Sequence, residues 1–176
     1  MTTIRVIQGD ITQQGVDVIV NAANNRMRGG GGVDGAIHRA GGPAILRECI
    51  QHFPNGLATG DAGWTTAGDM PARYVVHTVG PNYSAGQTDR ALLVSAYARS
   101  LEVSDSLNAE TVAFPLISAG IYGWPKQDAI EAAIETILDA DTQVEEVRLV
   151  AFDQETYEEI TQTLERKLRE LRQLQN

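Results

Sequence analysis

The chain has 176 residues, 43% of them apolar, and one cysteine, Cys49, which fits a single folded domain over 1–176 and leaves no partner for a disulfide or a thiolate metal cluster. No apolar run approaches the roughly 20 residues of a membrane span, and Met-Thr-Thr-Ile-Arg-Val lacks the apolar stretch of a secretory signal, so the expected compartment is the cytoplasm. The formal charge is -9, with eight Lys/Arg against seven Asp/Glu in 1–100 and six against sixteen in 101–176, a balance that argues against nucleic acid as a partner.

Periodicity and chain breakers predict the elements in order. Residues 4–7 alternate as a short strand, and 17–20 form a nearly continuous apolar strand of the kind buried on both faces of a sheet. After a glycine-rich loop, 33–40 reads as a helix, interrupted by Gly41-Gly42-Pro43; Pro43 suits the first position of a second helix to about His52. Residues 56–60 are loop, 62–67 and 74–79 are strands, and Gly80-Pro81-Asn82 is a turn. A long helix over 89–107, a strand over 111–116, a helix over 127–138, a strand over 147–152 and a final helix over 156–174 complete the chain. In the last helix Ile160, Leu164, Leu168 and Leu171 form an apolar stripe, expected to pack on the sheet rather than to make a coiled-coil seam. Alternating strands and helices predict a three-layer α/β fold with a mostly parallel sheet, whose ligands bind beyond the carboxyl ends of the strands.

Two loops carry candidate chemistry. The first runs from Val20 through Asn21, Asn24 and four glycines, 29–32, to Asp34 and His38. Glycines ahead of a helix let backbone N–H groups approach an anion unobstructed, so this segment suggests a pocket for a phosphorylated ligand. Gly30, Gly32 and Gly35 satisfy G-x-G-x-x-G, but nine residues separate the strand from the first of them, which argues against a dinucleotide fold; no Lys-Ser/Thr pair follows, which excludes a Walker loop. A flexible linker is disfavoured by the apolar flanks. Asp34 and His38 share a helix face, and a carboxylate in the first turn gains from the helix dipole, which suits it to hold or deprotonate a water. Alone, the pair reads more readily as a helix cap and a packed imidazole; Asn21 and Asn24 nearby shift the balance toward a site that bonds sugar hydroxyls. The second loop, 115–125, offers Ser118, Gly120, Gly123 and the flat side of Tyr122 to the same ligand, or is a simple turn with buried aromatics. Cys49 reads as a small buried apolar residue.

With Gly9-Asp-Ile-Thr12, Val18-Ile-Val-Asn-Ala-Ala-Asn24, Gly29-Gly-Gly-Gly-Val-Asp-Gly-Ala-Ile-His38, His77-Thr-Val-Gly-Pro81 and Phe114-Pro-Leu-Ile-Ser-Ala-Gly-Ile-Tyr-Gly123 in this order, the chain resembles the macrodomain family, MacroD-type, which includes bacterial O-acetyl-ADP-ribose deacetylases. The resemblance implies a three-layer α/β/α fold with a central mixed, mostly parallel sheet of about six strands and ADP-ribose across the strand ends. It implies that Asp10, assisted by the Ile11 backbone, accepts from the adenine amino group and that Phe152 stacks on the ring. Gly31, Gly32 and Val33 on one side, and Ser118, Ala119, Gly120, Ile121 and Tyr122 on the other, clamp the diphosphate. Asn24 holds the distal ribose; Asp34 acts as, or orients, the base that activates water, with His38 and Asn21 completing the catalytic set. Ala40-Gly41-Gly42 and Ser118-Ala119-Gly120 depart from the usual family residues, the latter losing a hydroxyl. No metal and no cofactor are implied.

The expected activity is an ADP-ribosyl ester hydrolase that removes mono-ADP-ribose from acidic side chains, deacetylates O-acetyl-ADP-ribose, or both. Its expected partners are ADP-ribose, its O-acyl esters and mono-ADP-ribosylated proteins, with no membrane. The rival is a non-catalytic ADP-ribose reader, which needs neither Asn24 nor Asp34 for chemistry. A nicotinamide-dependent oxidoreductase ranks below both.

Overall fold

The computed structural model describes residues 1–176. Six strands, β1 (Thr3–Gln8), β2 (Val16–Ala22), β3 (Ala62–Thr66), β4 (Ala72–Thr78), β5 (Thr111–Phe114) and β6 (Glu146–Ala151), form one sheet in the order β1-β6-β5-β2-β4-β3. Every neighbouring pair is parallel except β3 with β4. Five helices cover it: α1 (Gly32–Gly41), α2 (Pro43–His52), α3 (Arg90–Ser106), α4 (Lys126–Asp139) and α5 (Gln154–Leu174).

Central β2 explains the layering. Val18, Ile19 and Val20 are wholly buried, and because successive side chains point to opposite faces, both faces of the sheet must be covered. Val18 and Val20 pack with Val112, Val147 and residues of α3, α4 and α5. Ile19 packs with Val75, Ala113 and Val150 under Ile37, Ile45 and Cys49 of α1 and α2. Cys49 is buried, as expected of a small apolar residue.

Several boundaries differ from expectation, each for a physical reason. β2 continues through Asn21 and Ala22 because these residues pair with His77 and Thr78 of β4. β5 stops at Phe114, ahead of Pro115, which has no N–H to donate to a ladder. α1 begins at Gly32, one residue early, and two short 3-10 turns, Ile11–Gln13 and Tyr83–Ala85, were not foreseen. The apolar stripe of α5 is only half used: Ile160 and Leu164 are buried, whereas Leu168 and Leu171 stay about 40% exposed.

The chain leaves β2 toward β4 and β3 on one side and leaves β5 toward β6 and β1 on the other. Neighbouring parallel strands whose connections diverge open a crevice at their carboxyl ends. The loops after β2 and β5 are the two glycine-rich segments.

Candidate active site

The crevice is an elongated cleft with two chambers, of 390 and 490 Å³, that share Gly32, Val33, Pro115, Leu116 and Gly120 along their common wall. A small-molecule site of this size suits a ligand with two bulky ends and a narrow middle.

Gly31 caps α1 without a side chain, and Gly32 has φ +59, a left-handed conformation that favours glycine. The first N–H groups of α1 therefore lack partners within the helix, and they sit at the waist of the cleft with the positive end of the helix dipole. Ile121, 75% exposed, reaches across from the second loop: a Cβ on Gly31 or Gly32 would lie 3.6 Å from its Cδ1. The two loops thus approach each other over the waist.

The second loop is held from behind. The hydroxyl of buried Tyr97 accepts from the Ile117 N–H (2.9 Å) and donates to the Pro115 carbonyl (3.4 Å), and burial raises its pKa. Trp124 donates from N to the Ser118 carbonyl (2.9 Å) and from Nε1 to Asp128 (2.9 Å). Ser118 has φ +66 and a buried hydroxyl with no protein partner, at the wall of the first chamber. Tyr122 lines the same chamber; burial first, then the nearby Asp34 charge, raises its pKa, so its phenol is neutral.

Asp34 and Asn24 meet in the first chamber over Gly30. A Cβ at Gly30 would come within 3.1 Å of both Asn24 Nδ2 and Asp34 Oδ2, so only glycine lets the two side chains lie side by side unhindered. Asn24 donates to the Gly29 carbonyl (3.1 Å) and accepts from the Arg26 N–H (3.1 Å), which holds its amide in one orientation. Asp34, 4% exposed, uses Oδ1 for structure: Asn21 Nδ2 donates to it at 2.8 Å and His38 Nε2 lies 3.3 Å away. Oδ2 is the oxygen on the Gly30 side of the chamber.

Asp10 and Ile11 line the second chamber with Ala119 and Phe152. Asp10 Oδ1 accepts from the Thr12 N–H (2.9 Å) and hydroxyl (2.7 Å), leaving Oδ2 without such a bond. Phe152 lines the same chamber and is 86% exposed.

Of the sequence-derived candidates, the cleft brings together Asp34, Asn24 and both loops at one end and Asp10, Ile11 and Phe152 at the other. Asn21 and His38 do not line it. Asn21 is wholly buried behind Asp34, so it does not meet a sugar; it and His38 touch the carboxylate instead. Sequence reasoning missed two residues. Arg28 donates to the carbonyls of Arg26, Met27 and Phe53 (3.0–3.2 Å), pinning the first loop to the end of α2. His77 contacts Asn21 from β4; it opens the His77-Thr-Val-Gly-Pro81 motif that carries the resemblance, but that motif gave it no role. No three His, Cys, Asp or Glu side chains gather as metal ligands.

Comparison with known proteins gives one consistent match. The family model described as Macro domain matches residues 20–133. A macro domain-containing protein of Streptomyces coelicolor is 56% identical over 162 residues, covering 90% of this chain and 96% of that one. The O-acetyl-ADP-ribose deacetylase of Escherichia coli K12 is 49% identical over 88% of this chain and 90% of its own. Among solved structures, the Oceanobacillus iheyensis macrodomain with ADP superposes with a TM-score of 0.91 at 36% identity, covering 96% of this chain and 93% of that chain. The Trypanosoma brucei macrodomain in complex with ADP-ribose gives 0.83 at 34% identity, covering 92% and 68%.

Proposed function

This chain belongs to the macrodomain family, and from that premise we propose that it is an ADP-ribose-binding hydrolase that cleaves ADP-ribosyl esters. The observation that carries the reading is the Asp34–Asn24 pair over Gly30, at one end of a cleft whose waist is lined by helix N–H groups. Relatives at about half identity over most of the chain are named O-acetyl-ADP-ribose deacetylases, and solved macrodomains hold ADP-ribose or ADP.

In this reading the diphosphate lies at the waist, held by the α1 N-terminus and the loop of Ser118 to Tyr122. Adenine occupies the second chamber, its amino group on Asp10 Oδ2 and its ring on Phe152. The distal ribose enters the first chamber against Asn24. Asp34 Oδ2 holds the attacking water and takes its proton as oxygen adds to the ester carbonyl. The bond to the ribose oxygen then breaks, that oxygen is protonated, and ADP-ribose and a carboxylic acid leave. His38 and Asn21 steady the opposite oxygen of Asp34. An acetyl ester and an ester of a protein carboxylate present the same bond, so mono-ADP-ribosylated acidic side chains belong to the substrate class. Single-residue variants of the Oceanobacillus iheyensis macrodomain replace an asparagine and an aspartate that stand as far apart in sequence as Asn24 and Asp34 do here.

The test is turnover of O-acetyl-ADP-ribose and of an ADP-ribosylated glutamate peptide, beside calorimetry with ADP-ribose. Asp34→Ala is expected to lower turnover by about 100-fold or more with ADP-ribose affinity within a few fold. Binding by the wild type without turnover of either substrate identifies a reader instead.

A further inference from the structure

Behind Asp34, Asn21 leads on to two buried polar side chains, His77 and Thr65, that the reaction as described does not use. Asn21 and His77 are register neighbours on β2 and β4, and both are essentially inaccessible. Asn21 Nδ2 lies 2.8 Å from Asp34 Oδ1 and 3.0 Å from His77 Nδ1. His77 Nε2 lies 2.8 Å from the Thr65 hydroxyl, which donates to the Thr66 carbonyl at 2.9 Å.

We propose that His77 is a positioning residue for the hydrolysis: a one-way chain of hydrogen bonds from Thr65 through His77 fixes which end of the Asn21 amide meets Asp34. The inference rests on the assignment of Asp34 as the water-holding carboxylate.

The direction follows from donor accounting. With the Thr65 hydroxyl donating to Thr66, its oxygen offers a lone pair to the imidazole, and Asn21 Nδ2, the donor to the Asp34 carboxylate, meets Nδ1 on the other side of the ring. Nε2 must therefore carry the hydrogen, and Nδ1 presents a lone pair to Asn21. A neutral ring is what the site sustains: burial, then the neighbouring His38, pushes the His77 pKa down to about 3. Cys49, with Sγ 3.8 Å from Nε2, adds no charge, because burial and then Asp34 push its thiol up to about 11.

With an acceptor on each side, the amide can present only Nδ2. Turned over, its oxygen would face the His77 lone pair and the Asp34 carboxylate together. The cost is visible: Asn21 Oδ1 is buried with no partner. An aliphatic neighbour in place of His77 would remove one of the two acceptors that hold Nδ2, so the side chain could rotate away from Asp34 to satisfy its buried oxygen elsewhere, and Asp34 would lose its closest donor. An imidazole with fixed hydrogens removes this option and keeps Oδ1 occupied, leaving Oδ2 for water.

The experiment measures kcat and KM for O-acetyl-ADP-ribose, ADP-ribose Kd and Tm in His77→Leu, which has no acceptor, in His77→Asn, whose amide oxygen replaces the Nδ1 lone pair, and in Thr65→Val. His77→Leu and Asn21→Ala are also combined, with Asp34→Ala as reference. Expected for His77→Leu is a kcat loss of about tenfold or more with KM and Kd within twofold, rescue in His77→Asn, and no further loss when Asn21 is already alanine. Thr65→Val, close to isosteric, is expected to lose kcat several-fold with Kd kept, and it decides the matter if His77→Leu fails to fold. Wild-type kcat in Thr65→Val, an additive loss in the double variant, or equal impairment of His77→Asn and His77→Leu overturns the proposal. If Asp34→Ala keeps full turnover, the functional assignment falls; if Asp34→Ala is inactive while the His77 and Thr65 variants turn over normally, only the positioning role falls.

Discussion

Gly30 is the residue on which the Asn24 and Asp34 side chains converge, and its missing Cβ is what separates this site from a crowded one. Its φ is not in the left-handed region, so alanine there strains no backbone. The added methyl would press on Asn24 Nδ2 and Asp34 Oδ2 at 3.1 Å, both of which must give by tenths of an ångström. Gly30→Ala is expected to fold with Tm nearly unchanged and to lose about tenfold or more in acetate release, since misplacement on this scale is costly in catalysis; unchanged turnover would show that the pair needs no such precision. His77 makes a second residue-scale prediction through its titration. A free imidazole titrates near 6.5, whereas the buried one is held down to about 3. Between those values the unfolded chain binds a proton that the native ring refuses. The contribution is therefore whole above pH 6.5 and is lost as pH falls toward 3, by up to about 1.4 kcal/mol per pH unit. Urea midpoints at pH 7, 5.5 and 4 check this by comparison with His77→Leu, in which the slope over that window is expected to be shallower.

At the scale of elements, the second loop depends on a helix, α3, that lines neither chamber of the cleft. Tyr97 of α3 holds Ile117 and Pro115 through one hydroxyl. Tyr97→Phe leaves the buried Ile117 N–H without its acceptor, at a cost of about 1–3 kcal/mol. A Tm drop of about 3–8 °C is expected for a chain of this length, together with weaker ADP-ribose binding, because the loop opposite α1 loses its anchor. A variant with the lower Tm but unaltered affinity would separate the anchor from the site. The same elements show what a sequence discloses and what it hides. β2 was legible because its burial on both faces is written into its own apolar run. Its extension through Asn21 was not, because those ladder bonds depend on β4, over fifty residues away. Asp34, Asn24 and the glycines were legible as one contiguous loop-to-helix segment. Their alliance with His77 and Thr65 was not, since it exists only once three strands are in register. The stripe on α5 was only half informative for a related reason: periodicity predicts which face is apolar but not how much of it finds a partner, and Leu168 and Leu171 stay exposed.

For the whole molecule, the question is how a chain of net charge -9 holds an anionic diphosphate. The first chamber has no Lys or Arg among its lining residues, and the second has only Lys126, which lies 3.6 Å from Glu159. What remains is the fold itself. The divergence of connections around β2 and β5 places the N-terminus of α1 and a turn-rich loop on either side of the waist, so in the proposed pose neutral N–H donors and a helix dipole stand where cationic side chains would otherwise be needed. These partial charges act at short range, whereas the surface charge acts across the solvent and repels the ligand. Salt screens the second far more than the first, with a Debye length of about 10 Å at 0.1 M. ADP-ribose affinity is therefore expected to hold constant or tighten by up to about twofold as NaCl rises from roughly 50 to 300 mM, and the association rate to rise with it. A site built on Lys and Arg behaves in the opposite sense, its affinity falling steadily with salt. Calorimetry across that range distinguishes them: a Kd that weakens several-fold would mean that a side-chain cation such as Lys126 carries the diphosphate, and that the backbone cradle is secondary.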